Sequence, residues 1–329
     1  MKAQRAALRG FTGLPSVRRV VSLIMPVGLL GLWLIGLLLR LLVQDRLPEL
    51  AYFYYATPPI VLTALAAAAG VWWLIGRRWK LAVPPLALAT ACAVWAYRVT
   101  WFHHAAPANA PPSIRVLFWN AAHGTFGWAR VAREIRHYDA DVVALVEGTD
   151  KRSDMAAVWR QYFPEYHVFL FDEGITLLSR SDTKAEDFGM LGADWEMAFG
   201  WYAHCEAATP AGALHIVIAD FQAIPDRSRF LPMNELQRRL APLTGQPVLL
   251  LGDLNTPSDS VFLKPLRESY RNAFECAGNG YAATWPVPLP VLTLDQAWLN
   301  DGVEISRCQL GWSWVSDHRP VLLDVSLRR

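Results

Sequence analysis

The sequence predicts an α/β fold, packed sheets flanked by helices, carried behind three membrane-spanning helices. Three observations predict it. Three long apolar stretches precede residue 100, whereas apolar strand-like runs and helix-spaced segments interleave from residue 114 onward. Charge divides at the same place. Residues 1–110 hold 11 Lys and Arg against two acids, Asp45 and Glu49, a balance of +9; residues 111–329 hold 20 Lys and Arg against 27 Asp and Glu, a balance of −7. The whole-chain charge of +2 therefore conceals a basic, apolar part and an acidic, globular part.

The first stretch, about 20–43, carries a single charge, Arg40; the second, about 51–76, and the third, about 81–99, carry none until Arg98. About 20 apolar residues cross a bilayer core, so all three read as transmembrane helices. The first is too long for a signal peptide, lacks a small-residue cleavage site, and is followed by further spans. Arg5, Arg9, Arg18 and Arg19 precede the first span, and Arg77, Arg78 and Lys80 separate the second from the third. The excess of basic residues places the N-terminus and the 77–80 turn in the cytoplasm. Three crossings then leave the remainder extracytoplasmic, in the periplasm if the host is bacterial.

Residues 1–102 thus read as a membrane anchor and 103–113, rich in Pro and Ala, as a semi-rigid linker. His103 and His104 within it read as a solvated pair. The domain 114–329 begins with a strand at 114–119, a helix at 128–138 with Val131 and Ile135 at i and i+4, and a strand at 141–146 ending in Glu147. A helix around 153–162, strands at 166–171, 175–179 and 214–219, a helix at 236–243, and strands at 248–251, 291–299 and 321–327 follow. Cys205, Cys276 and Cys308 are too few and wrongly spaced for a zinc site and read as free thiols.

Short polar clusters end or interrupt these strands: Gly252-Asp253-Leu254-Asn255, Leu294-Asp295 and Ser316-Asp317-His318-Arg319-Pro320, with Glu147 upstream. A sheet would deliver them to one rim. Several carboxylates beside a His and an Asn suit a hard divalent cation and phosphate-ester cleavage. Each cluster alone also reads as a turn whose Asp and Asn bond their own backbone; their order is what carries the functional reading.

Together with Val116–Asn120, Asp141–Glu147, Gly174–Arg180 and Thr284-Trp285-Pro286, these clusters make residues 114–327 resemble the endonuclease/exonuclease/phosphatase superfamily of metal-dependent phosphoesterases. The resemblance implies a four-layer α/β sandwich, two mixed sheets face to face with helices outside. It implies that Glu147 is the principal Mg²⁺ ligand (Mn²⁺ being an acceptable substitute), that Asn120 orients it or contacts phosphate, and that Asp317 is a further metal-side carboxylate. It implies Asp253 as the group activating water, Asn255 as a hydrogen-bond donor to the phosphoryl group, and His318 as the stabiliser of developing charge, with Asp295 fixing its tautomer. Two positions depart from the family pattern. Asp220 stands where a His is common, and an Asp there donates a proton only if its pKa is raised. Ala122 stands where some members carry an acid, with His123 next to it.

The acidic balance disfavours nucleic acid, whose binding draws on Lys and Arg. Arg227, Arg229, Arg238 and Arg239 remain a candidate basic patch, although the last two fall on a helix pattern. Trp195, Trp201, Trp312 and Trp314 read either as an apolar rim or as core. The expected function is a membrane-anchored phosphodiesterase or phosphatase acting outside the cytoplasm on a small or lipid-linked phosphoester, with the bilayer as its other partner and no protein partner inferable. A membrane-anchored endonuclease and a degenerate, non-catalytic binding domain are the alternatives.

Overall fold

A computed structural model describes residues 17–105, 114–150, 154–192 and 198–328; Arg5, Arg9, Trp195 and most of the expected linker lie outside them. The chain forms two compact units. One is built from residues up to Val43 with Ala56–Val99, the other from Gln44–Tyr55 with Thr100 onward. Beside the expected 1–102, 103–113 and 114–329, part of the expected anchor, Gln44–Tyr55, and the start of the expected linker fold with the second unit.

In the first unit, α1 (Val17–Leu38) continues as a π-helical turn through Val43. Next in the chain comes α2 (Pro48–Ala56), most of which belongs to the second unit; α3 (Pro59–Ile75) and α4 (Trp79–Thr100) return to the first. Ile24–Val43 and Trp79–Thr100 are long and apolar enough to cross a membrane, and α2 with α3 would make a third span if taken together. The second expected span, 51–76, is therefore not one continuous helix: α2 and α3 meet at a bend of 62°. Pro58 and Pro59 explain the break, since each removes an N–H donor and restricts the residue before it. Arg40, the lone charge of the first span, is buried and its Nε donates to the carbonyl of Thr57 at the break. A side chain thus satisfies backbone that the prolines leave open. Leu62 and Ala66 of α3 pack with Trp33 of α1 and Ala89 and Cys92 of α4.

After α2 the second unit resumes with β1 (Trp101–His103), so His103 lies in a strand paired with Asn279 rather than in a linker. Then come β2 (Ile114–Asn120), α5 (Trp128–Tyr138), β3 (Val142–Val146), α6 (Met155–Tyr162), β4 (His167–Leu170), β5 (Thr176–Ser179), β6 (Thr183–Gly192), β7 (Ala198–Thr209) and β8 (Gly212–Phe221). The remainder is α7 (Phe230–Leu240), β9 (Val248–Asp253), α8 (Lys264–Arg267), β10 (Arg271–Asn272), α9 (Ala273–Ala277), β11 (Asn279–Tyr281), β12 (Asp295–Leu299), β13 (Val303–Leu310) and β14 (Val321–Leu327). Two six-stranded mixed sheets result, in the orders β13-β14-β2-β3-β5-β4 and β10-β12-β9-β8-β7-β6. The pairs β2/β3 and β8/β9 are parallel and the rest antiparallel.

Alternation along the central strands builds the layers. Val116, Phe118, Val142 and Ala144 point inward to meet Ile216, Ile218, Leu249 and Leu251. The alternate residues Leu117, Trp119, Val143 and Leu145 point outward onto α5 and α6. On the opposite sheet Val217, Ala219, Leu250 and Trp298 point outward onto α7. Strand period and helix period together thus give four layers. The strand expected at 291–299 begins only at Asp295, since Val291–Leu294 form a loop after Pro290.

Candidate active site

Strand direction and register bring the polar clusters to one end of the sandwich. In one sheet Asp220 of β8 and Asp253 of β9 are parallel register partners, and Asp295 of antiparallel β12 faces Asp253. In the other, Asn120 pairs with Val146, so Glu147 follows at the same edge, and Val321 pairs with Phe118, which leaves His318 just beyond that edge. Gly252 makes the β8/β9 approach feasible, because a Cβ there would lie 2.6 Å from the carbonyl oxygen of Ala219. Glu147 and Asn255 both have positive φ, 49° and 43°. Such backbone is uncommon outside glycine and clusters where a site dictates conformation.

One asparagine joins the two sheets. The Asn120 amide donates to Glu147 Oε1 (3.2 Å) and Asp253 Oδ2 (3.0 Å), while its oxygen accepts from the backbone N–H of Ala122 (2.9 Å). The amide thereby orients two carboxylates from different sheets. His123 approaches the same glutamate, Nε2 to Oε2 3.5 Å, and its Nδ1 lies 3.0 Å from the Thr149 carbonyl oxygen. The residue beside Ala122 therefore does reach the site. Asp253 Oδ1 accepts from the N–H of Asn255 (3.0 Å), whose side-chain amide spends one donor on the Phe221 carbonyl (2.7 Å) and keeps a second.

His318 Nδ1 lies 2.8 Å from Asp295 Oδ2 and 3.7 Å from Asp253 Oδ2. Burial alone would lower the histidine's pKa, but the charges of Asp295 and Asp253 and the bond to Asp295 outweigh it and raise it to about 10. Burial and the charge of Asp295 raise Asp253 to about 6. Asp220 is pushed well above the ordinary carboxylate range by loss of solvation and by the charges of Asp253 and Glu147. The condition for an Asp to carry a proton at this position is thus met by its surroundings. Asp317 stands apart from the buried carboxylates. It is exposed, accepts from the indole N–H of Trp285 (3.1 Å), and lies 4.0 Å from His318 Nε2.

The donor set suits a divalent cation. Four carboxylates, Glu147, Asp220, Asp253 and Asp295, converge with one imidazole, and Asp295 Oδ1 is buried without a hydrogen-bond partner. Asp253, Asp295 and His318 offer ligand atoms within 4.8 Å of one another. Their geometry is that of a hydrogen-bonded dyad, however, and a ring held as imidazolium repels a metal. Glu147, oriented by Asn120 and partly open to solvent, is the better ligand.

Three positioning residues carry no chemical signal in the sequence. The Thr284 hydroxyl accepts from the N–H groups of Leu294 and Asp295, setting the start of β12. Ser316 donates to the Asn120 carbonyl (2.8 Å) and accepts from the His318 N–H (3.0 Å), and the Trp119 indole donates to the His318 carbonyl (2.9 Å). Arg229 is buried, while Arg238 and Arg239 pair with Glu235. Of the candidate basic residues, Arg229 is thus withdrawn from the surface, Arg227 bonds Gln222, and the two on α7 are exposed and paired with an acid.

Comparison with known proteins gives the same outline. The family model described as Endonuclease/Exonuclease/phosphatase family matches residues 117–318. No curated protein matches the chain by sequence. Among solved structures, an endonuclease/exonuclease/phosphatase family protein from Bacteroides thetaiotaomicron superposes with a TM-score of 0.54 at 14% identity, covering 67% of this chain and 100% of that one. The human Nocturnin catalytic domain with bound sulfate gives 0.53 at 18%, covering 67% and 97%. The mannosyl-6-phosphatase Bt3783 of Bacteroides thetaiotaomicron gives 0.51 at 14%, covering 65% and 100%.

Proposed function

Since the chain belongs to the endonuclease/exonuclease/phosphatase family, whose members hydrolyse phosphoester bonds, we propose that it is a membrane-anchored, divalent-metal-dependent phosphodiesterase or phosphatase acting outside the cytoplasm. The observation that carries this reading is the bridge Glu147–Asn120–Asp253 beside the Asp295–His318 dyad. Glu147 would hold the cation, with Asp317 at the open rim as a further carboxylate. Held there, Mg²⁺ or Mn²⁺ would supply Lewis-acid polarisation of a phosphoryl oxygen.

The chain's own residues account for the proton movements. Asp253, ionised above about pH 6, takes a proton from the attacking water as its oxygen bonds to phosphorus. The second amide donor of Asn255 and the His318 imidazolium, held charged by Asp295, stabilise the charge that builds on the phosphoryl oxygens. As the bond from phosphorus to the leaving oxygen breaks, Asp220 delivers its proton to that oxygen. The net negative charge of residues 111–329, with Arg229 buried and Arg238 and Arg239 paired with Glu235, favours a small or lipid-linked ester over nucleic acid. The apolar helices support the anchor, and the basic residues flanking them support a cytoplasmic N-terminus.

The full-length protein in detergent should release p-nitrophenol from bis(p-nitrophenyl) phosphate with Mg²⁺ or Mn²⁺. Glu147→Ala and His318→Ala should each fall to background. Undiminished turnover in both variants would sink the assignment. Metal binding without turnover of any phosphoester would instead support a non-catalytic domain, and plasmid nicking lost in Glu147→Ala would support the nuclease alternative.

A further inference from the structure

We infer that the active site opens at the bilayer surface and that its substrate is a phosphoester borne on a membrane lipid, a proposal that rests on the hydrolase reading above. Chain connectivity carries it. Val43 ends an apolar span long enough to cross a membrane, so the residues that directly follow it, Gln44 and Asp45 first, lie at the membrane surface wherever the rest of the chain stands. Yet Gln44–Tyr55 folds as part of the catalytic unit. Asp45 accepts from the Ser260 hydroxyl and from the N–H of Val261 (3.1 Å), and the Tyr54 hydroxyl donates to the Asp259 carbonyl (3.2 Å). Tyr54 and Tyr55 are buried with Leu292 and Leu294.

These contacts fall on the site end of the sandwich. Leu294 immediately precedes Asp295, the partner of His318, and the segment 259–261 follows shortly after Asp253 and Asn255. The element tied most tightly to the membrane surface is therefore packed beside the catalytic loops. Its other face keeps Tyr52 and Phe53 exposed, aromatic side chains of the kind that settle at a membrane–water interface.

The exposed apolar side chains of the catalytic unit point the same way. Seven of the ten large ones standing exposed among the described residues 101–328 lie in the loops or the helix start at the site end. Leu289 is 77% exposed and Trp314 67%; Trp312, Phe230 and Leu231 accompany them. Trp312 and Trp314 stand edge-to-face 6.2 Å apart, five and three residues before Asp317. Exposed apolar groups gathered at one end of a soluble unit mark an interaction surface. Here the covalent tie through residues 44–58 selects its occupant, the lipid bilayer. An ester carried by a lipid in that bilayer would present its phosphate to the buried carboxylates and keep its chains among the rim residues.

The test uses the full-length protein reconstituted in phosphatidylcholine liposomes. An environment-sensitive fluorophore on Leu289→Cys should be quenched by lipids doxyl-labelled near the headgroup. The same label on Ala211→Cys, in the β7–β8 turn at the opposite end, should not be. Turnover of dioleoyl phosphatidic acid or dioleoyl phosphatidylglycerol in the same bilayer should exceed that of glycerol 3-phosphate or glycerophosphoglycerol. The ratio should fall about tenfold in Trp312→Ser/Trp314→Ser, a loss corresponding to about 1.4 kcal/mol. Equal quenching at 289 and 211, or turnover confined to the soluble esters, overturns the proposal. Selective quenching at 289 with no ester turned over overturns the hydrolase reading while the placement at the bilayer stands.

Discussion

Asp295 decides the charge of His318, and the consequence is measurable. In the folded protein the ring stays protonated to about pH 10, against about 6.5 for a free histidine. The stability this confers is fully present below about pH 6.5 and is lost as pH rises toward 10. Asp295→Asn removes the charge while leaving an oxygen that can accept from the ring, so the alkaline limb of the rate profile should move from near 10 toward neutrality. At pH 8 the rate should fall about 10²- to 10³-fold. A pH–rate profile with an NMR titration of the ring checks both, and an unmoved limb would deny the imidazolium its role. In the unaltered protein the acid limb should lie near pH 6, where Asp253 must ionise. Asp220 has a different signature. Asp220→Asn should slow an alkyl phosphoester about 10²- to 10⁴-fold but hardly affect a p-nitrophenyl ester, whose leaving group needs no proton. The side chains that converge at this end were legible in the sequence because each sits in a short cluster at a strand end. Ser316 was not assigned a role, because its partner, the Asn120 carbonyl, is 196 positions away and no local pattern encodes that contact.

The elements show why some strands could be read and others not. β3, and the stretches Val116–Trp119 of β2, Val248–Leu251 of β9 and Val321–Leu323 of β14, are continuous runs of buried apolar residues, which announce themselves. β6 is a sheet edge carrying Lys184, Glu186 and Asp187, and its pairing with β7 slips twice. β13 loses its alternation at a register shift between Ile305 and Arg307. Such irregularity erases the period on which strand reading depends. Where period is intact, register delivers function, and Gly252 is the sharpest case. Gly252→Ala would set a Cβ 2.6 Å from the Ala219 carbonyl, forcing β9 away from β8 and parting Asp253 from Asp220. A loss of about 1–3 kcal/mol is expected by chemical denaturation, together with reduced turnover under conditions where the variant remains folded. Unchanged activity would mean that the β8/β9 spacing does not set the carboxylate geometry.

At the scale of the whole molecule, the bend between α2 and α3 gives residues 44–55 to the second unit while their chain neighbours on both sides belong to apolar, span-like segments. In the proposed topology residues 44–55 and the chain beyond Thr100 share one side of the membrane, with α3 and α4 crossing between them. The basic turn at 77–80 would lie on the other side, in agreement with the orientation expected from its charges. Single cysteines in a Cys276→Ser background make this a direct measurement in intact cells. Glu49→Cys and Ala211→Cys, both exposed, should react with a membrane-impermeant maleimide, whereas Arg77→Cys should react only after permeabilisation. Labelling of 77 together with 49 in intact cells would remove the crossings between them. Labelling of 49 without 211 would break the link between the docked segment and the site, and with it the placement of that site at a bilayer surface outside the cytoplasm.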